Sequence, residues 1–167
     1  MLGGKHNYTA QLDSFFTIKA VNPNKHLGQE AMIGQYAHGN EPSHHIAYLY
    51  AYANKPSRVG ELVTQICQNF YNNTTTGMIG NDDCGQMSAW YIFSTLGFYP
   101  VNAANGEFVL GIPQVSKAKV LLSNKKSLSI ARKGNSYDVK IKLNKRRITT
   151  PTITYSWLKN GGYLLFE

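Results

Sequence analysis

Between Pro56 and Phe70 the apolar residues Val59, Leu62, Val63, Ile66 and Phe70 recur at spacings of three and four, with Arg58, Glu61, Gln65 and Gln68 mostly on the other side. This pattern predicts an amphipathic helix. Pro56 suits its first turn, where a missing N–H costs nothing. Leu12, Phe15 and Phe16 give a shorter apolar face near the start of the chain, and Pro42 opens a predicted helix through Ile46, Leu49, Tyr50 and Ala53. The polar run Asn72-Asn-Thr-Thr-Thr-Gly77 interrupts the periodicity as a loop. Asp83 begins a further predicted helix carrying Met87, Trp90, Tyr91, Ser94 and Leu96, and Gly97 closes it.

Past Pro100 the period falls to two. Phe108–Ile112, Lys119–Leu122 and Leu128–Ala131 read as strands, and residues 137–143 alternate strictly between apolar and polar, as a half-buried strand does. Asn160-Gly161 between Ile153–Leu158 and Tyr163–Phe166 predicts a hairpin. The expected fold class is α+β, with a boundary near residue 105: a helical region over 1–105 and an antiparallel β module over 106–167.

The 167 residues suffice for one ordinary domain or two small ones, and a hydrophobic content of 43% permits a real core. The eleven tyrosines suit both cores and sugar-binding clefts. The net charge of +8 is uneven: residues 1–105 carry five Lys/Arg against six Asp/Glu, residues 106–167 twelve against three. A basic C-terminal third fits either an anionic partner or, more simply, a solvated strand face; no nucleic-acid motif accompanies it. Cys67 and Cys84 form no CxxC pair, and two buried thiols are expected. No apolar run is long enough for a membrane span, and the N-terminus lacks a signal-peptide core.

Two clusters carry candidate chemistry. In Gly80-Asn-Asp-Asp-Cys-Gly-Gln86, Asp83 followed by Gln86 fits a capping box, a role worth about 1 kcal/mol. The same acid, kept ionised by a helix start, equally fits a general base. In His38-Gly-Asn-Glu-Pro-Ser-His-His45, Asn40 and Glu41 offer the hard oxygen ligands that calcium prefers, while His44 and His45 suit sugar hydroxyls or zinc. A polar helix cap with one histidine held in the core is the plainer alternative. The spacing is not that of the His-Glu-x-x-His zinc motif.

The stretches GNEPSHHIAYLYAYANKP at 39–56 and GMIGNDDCGQMSAWYIFSTLGFYPV at 77–101 resemble two signature regions of glycoside hydrolase family 92, and LGGK…LDSFF near the start and GG-x-L-x-F near the end fit the flanks. The resemblance covers nearly the whole chain. It implies a calcium-dependent, inverting exo-α-mannosidase acting on α-mannoside glycans such as N-glycans. It also implies an N-terminal β-sandwich followed by an (α/α)6-type helical domain, of which this chain is the C-terminal part. Asp83 is then the general base, with Asp82 as the alternative. Asn40, Glu41, His44, His45 and Asn81 line the sugar, with Glu41 and Asn40 toward calcium. Asn81 stands where some members carry a second acid. The general-acid glutamate lies upstream of the position matched by Met1, and neither Glu30 nor Glu41 replaces it. The resemblance thus implies an inactive fragment completed by the N-terminal part of the enzyme, exported to the periplasm or outside the cell. A non-catalytic carbohydrate-binding remnant is the alternative.

Overall fold

A computed structural model describes residues 4–19 and 32–167; Glu30 lies outside them. The fold is α+β. Helix α1 (Lys5–Thr17) is followed by a small hairpin of β1 (Met32–Ile33) and β2 (Tyr36–Ala37), by 3-10 helices at Glu41–Ser43 and Ile46–Ala51, and by α2 (Pro56–Phe70) and α3 (Gln86–Leu96). Strands β3 (Phe98–Tyr99), β4 (Glu107–Leu110), β5 (Lys117–Leu121), β6 (Ser127–Arg132), β7 (Ile141–Leu143), β8 (Arg146–Ile148) and β9 (Thr152–Thr154) come next, then α4 (Tyr155–Lys159) and β10 (Gly162–Phe166).

Helix α2 starts at Pro56 and buries Val59, Leu62, Val63 and Ile66 completely, as its periodicity predicts. Gly97 ends α3 in the left-handed region, its N–H bonded to the carbonyls of Phe93 and Ser94. A Cβ there would lie 2.7 Å from the Pro113 ring, so glycine is required for conformation and for space. The chain can then turn at once into β3.

Strands β3, β4 and β9 form one sheet between two cores. Tyr99 and Val109 are cross-strand partners facing a core built from α1, the second 3-10 helix, α2 and Trp90, whereas Phe98 and Leu110, the next pair, face the core of the large sheet. The strand period of two thus divides each strand between the cores. The large sheet has the order β5-β6-β10-β7-β8. Its edges carry Lys117 and Lys119 on β5 and Arg146 and Arg147 on β8. Charged edges resist pairing with other chains, which gives the basic C-terminal third a structural cause.

The structure corrects several expectations. Residues 42–53 form 3-10 helix and turns rather than an α-helix. In an α-helix the His44 carbonyl would accept the Tyr48 N–H; here Tyr48 bonds to His45, and the His44 carbonyl accepts the Trp90 indole N–H at 3.0 Å. Helix α3 begins at Gln86, three residues after Asp83. Of residues 137–143 only Ile141–Leu143 form a strand; Tyr137 instead lies under the Arg132 guanidinium. Asn160-Gly161 joins a helix to a strand and is no hairpin: Ile153 is committed to the β4 pairing, and Leu158 enters the core from α4. Strand β10 then runs parallel to β6, so the sheet is mixed. The tight two-residue turn belongs to Asn144-Lys145, at φ 48° and 71°, between β7 and β8. Among the described residues no helix is long and apolar enough to cross a membrane.

Candidate active site

The two clusters singled out in the sequence meet in space, and small residues let them. A Cβ on Gly80, whose φ is +71°, would sit 3.2 Å from Gly39 Cα and 3.3 Å from its carbonyl oxygen. The loops therefore touch backbone to backbone, which places Glu41 beside Asp83.

The neighbouring acids of the second loop have divided labour. Asp82 Oδ1 accepts the Ser88 N–H at 2.8 Å, and its carbonyl accepts the N–H groups of Gly85 and Met87. Ser88 is the third residue of α3, so Asp82 occupies an orphan donor of the helix start. The residue preceding α3 is Gly85, which offers no side-chain cap. The capping role expected of Asp83 thus falls to Asp82. Asp83, Cys84 and Gly85 follow one another at φ 45°, 61° and 93°, a reversal that turns Asp83 out to solvent.

Its carboxyl lies beside that of Glu41, close enough for each to shift the other's ionisation. The contact holds Glu41 below the usual carboxylate range, helped by a backbone N–H, and raises Asp83, with the Glu41 charge adding to the effect. Each of two neighbouring carboxyls opposes the other's ionisation. Glu41 Oε1 is buried, and among the described residues no donor reaches it.

Behind this pair lies a buried aromatic and imidazole network. His44 is 1% exposed. Its Nε2–H donates to the His38 carbonyl at 3.1 Å, and Nδ1 accepts from Gln86 Nε2 at 3.3 Å, with burial lowering its basicity. His38 is wholly buried. Its Nδ1 meets the Tyr36 hydroxyl at 2.9 Å and its Nε2 the Tyr71 hydroxyl at 2.7 Å; the Tyr71 hydroxyl donates to the Met87 carbonyl, so Nε2 carries the proton. The ring stands edge-on to Trp90, 4.4 Å between centroids. Burial, with the neighbouring His44, brings its pKa down to about 3, leaving a neutral ring.

Of the residues expected at the site, Glu41 and Asp83 come together, and Asn40, His45 and Asn81 are exposed on the same two loops. His44 points into the core with both ring nitrogens engaged. The sequence reading missed His38 as a site residue, and Tyr71, Gln86 and Tyr99 with it. The bond from Gln86 to His44 spans 42 positions and that from His38 to Tyr71 spans 33; periodicity carries no signal for either. Cys67 is buried and its thiol pushed up to about 12, whereas Cys84 is exposed, against the expectation of two buried thiols; neither is bridged.

The donor chemistry fits calcium better than zinc. A buried, unpartnered carboxylate oxygen beside a second carboxyl is a hard-oxygen arrangement that a divalent cation would satisfy. Two carboxyls fall short of the six to eight oxygens of a full calcium shell. Among the described residues no three carboxylate, imidazole or thiolate groups converge.

The family model for the glycosyl hydrolase family 92 catalytic domain matches residues 1–167. An uncharacterized secreted glycosidase of Arthroderma benhamiae is 30% identical over 110 residues, 66% of this chain and 12% of that protein. The fold matches a family GH92 α-mannosidase of Bacteroides thetaiotaomicron, solved in complex with mannoimidazole, at a TM-score of 0.89 and 36% identity over 98% of this chain. It also matches the family GH92 inverting mannosidase of the same organism at 0.80 and 32% over 99%. The chain spans 22% and 24% of those two proteins.

Proposed function

This chain belongs to glycosyl hydrolase family 92, and on that premise we propose that it supplies the base half of an inverting exo-α-mannosidase site. The observation that carries the proposal is the meeting of Glu41 and Asp83 across the Gly39–Gly80 contact, with Asp82 withdrawn into helix capping.

Inversion requires two carboxyls about 6.5–9.5 Å apart with a water between them. The Glu41 and Asp83 carboxyls are direct neighbours, nearer each other than that spacing, so they are not the acid–base couple. Asp83 is the base: it is exposed, on a loop fixed by α3, and its carboxyl, unlike that of Asp82, takes no part in the helix start. Asp82 is the alternative, disfavoured by its bond to Ser88. Glu41 and Asn40 are the residues that would hold calcium. Calcium, when bound, supplies a positive charge that grips vicinal mannose hydroxyls and favours ring distortion. Were a cation held by Glu41, its charge would offset the one that opposes ionisation of Asp83; the role of Asp83 is to accept the proton of the attacking water. Asn81 and His45, both exposed, offer hydrogen bonds to the sugar. His44 holds the Glu41 loop in place from behind, with Gln86 and Trp90. The general acid comes from a carboxyl outside residues 1–167, supplied by the rest of a family-sized enzyme; the 167 residues alone bind rather than turn over. The helical part to residue 105 carries this half-site and the β part from 106 buttresses it. Export is supported by the secreted relative.

Carbohydrate binding without catalysis is the second reading, favoured by the same closeness of Glu41 and Asp83. Calorimetric titration separates these readings from a bystander site. Calcium should release heat in the presence of a mannose-mimicking imino sugar, and Glu41→Ala should abolish it. Undiminished heat in both Glu41→Ala and Asp83→Ala would overturn the assignment. Turnover of an aryl α-mannoside by the 167 residues alone would show that the acid lies within them.

A further inference from the structure

A second cleft, of about 400 Å³, opens where the β7–β8 turn meets α4, and none of its lining belongs to the two loops of the candidate active site. Leu143 and Ile148 form part of its wall, with Trp157, Asn144, Arg146 and Asn160 around it. The chain has two tryptophans, and they are treated in opposite ways. Trp90 is wholly buried with its indole N–H bonded to the His44 carbonyl, whereas Trp157 is 39% exposed. Among the described residues no group accepts the Trp157 N–H. A tryptophan left half in water with its donor unused is the side chain that binding sites favour, because it offers a broad apolar face and a polar tip together.

The polar groups around it are also unspent. Asn144 Oδ1 accepts the Tyr163 N–H at 2.8 Å, which leaves its N–H groups for a ligand. Arg146 and Asn160 are exposed, and neither side chain pairs with a group among the described residues. The cleft therefore combines one aromatic face with several directional donors, and no carboxylate lines it.

The frame is rigid. Leu158, next to Trp157, is buried in the sheet core. The Lys159 carbonyl accepts from the Asn124 side chain at 2.7 Å, and the Leu158 carbonyl accepts the Gly161 N–H at 2.9 Å. Asn144 sits on a tight turn at φ 48°, packed so close to Gly162 that a Cβ there would lie 2.3 Å from its side-chain oxygen. A cleft whose backbone frame and Asn144 are already held loses less conformational freedom on binding than a free loop would.

We propose that this cleft is an accessory binding site for a hexose ring of a glycan chain. The ring's C–H face would lie on Trp157, and its hydroxyl oxygens would accept from Asn144 and Arg146. The choice of glycan, an α-linked mannose oligomer, rests on the function proposed above; the site itself does not. It would hold a branched substrate by a ring remote from the scissile bond.

The two tryptophans make the test direct. The 167-residue chain is titrated with α-linked mannotriose while tryptophan emission is followed. A saturable change in emission is expected from Trp157, with Trp90 silent in the core. The change should vanish in Trp157→Phe, weaken about tenfold in Arg146→Ala, and persist in Asp83→Asn. The emission of Trp90 in Trp157→Phe shows whether that variant remains folded. A flat titration of the folded chain, or a response that survives in Trp157→Phe, would overturn the proposal. A response that persists when the calcium and imino-sugar heat is absent would uphold this site and remove only the reading of the Glu41–Asp83 pair.

Discussion

An enzyme of this family carrying these residues with Asp83→Asn is expected to lose about 10²–10⁴-fold in kcat on an aryl α-mannoside, the range of general-base catalysis. Its melting temperature should stay level or rise slightly. The kinetic loss follows because an amide cannot accept the proton of the attacking water. The stability expectation follows from the environment of the carboxyl. Asp83 is exposed, and among the described residues its carboxyl makes no hydrogen bond to helix α3; only its backbone carbonyl meets the Gln86 N–H. Contact with Glu41 raises its folded-state pKa. A carboxyl raised in this way contributes stability below its unfolded value and loses it as pH rises through the folded value. At neutral pH the ionised Asp83 is therefore a cost beside Glu41, and the amide removes it. Steady-state kinetics and a melting curve on the same preparation check both halves.

The second large effect is one of stability. His38→Ala should destabilise the fold by about 3–5 kcal/mol, the range for deleting a large buried ring. The imidazole is wholly buried against Trp90, Phe70 and Tyr36, and its loss leaves two tyrosine hydroxyls without their partner. The parent protein should also weaken in acid. The folded pKa of His38 is lowered to about 3, from an ordinary value of 6.5. The unfolded chain thus takes up a proton that the folded chain refuses, and stability present above pH 6.5 is lost progressively as pH falls toward 3. Urea midpoints across pH 4–8 should show this slope in the parent and a shallower one in His38→Ala. Because His38 supports the loop that ends in Glu41, the same variant should bind calcium more weakly.

The parts of the fold legible in the sequence are those set by local rules. The apolar residues of α2 recur at helical spacing, Pro56 marks its start, and Gly97 marks the end of α3 because only glycine tolerates that φ beside Pro113. The parts that were not legible depend on distant partners. Residues 46–51 carry helical spacing, yet Trp90 takes the carbonyl that an α-helix would use. Asn160-Gly161 has the composition of a hairpin turn, but β9 is paired with β4 and β10 with β6 and β7, so the flanking runs never meet.

The candidate site divides along the same line. The two loops were identifiable as Gly-bracketed polar clusters, and the family resemblance fixed their order. Which of two adjacent aspartates caps the helix was not identifiable, because Asp82 and Asp83 are chemically alike. The choice depends on the left-handed run through Asp83, Cys84 and Gly85. His44 was expected at the sugar because imidazoles suit sugar hydroxyls and because of the family resemblance; the structure instead buries it, as the plainer alternative of a histidine held in the core had it.

The most direct test of this division of labour is the companion variant, Asp82→Asn, measured for turnover and melting beside Asp83→Asn. If Asp83 is the base and Asp82 the cap, Asp82→Asn keeps kcat within a few-fold of the parent and lowers stability by up to about 1 kcal/mol. If Asp82→Asn instead abolishes turnover with its melting curve unchanged, while Asp83→Asn remains active, the assignment of the two acids is wrong.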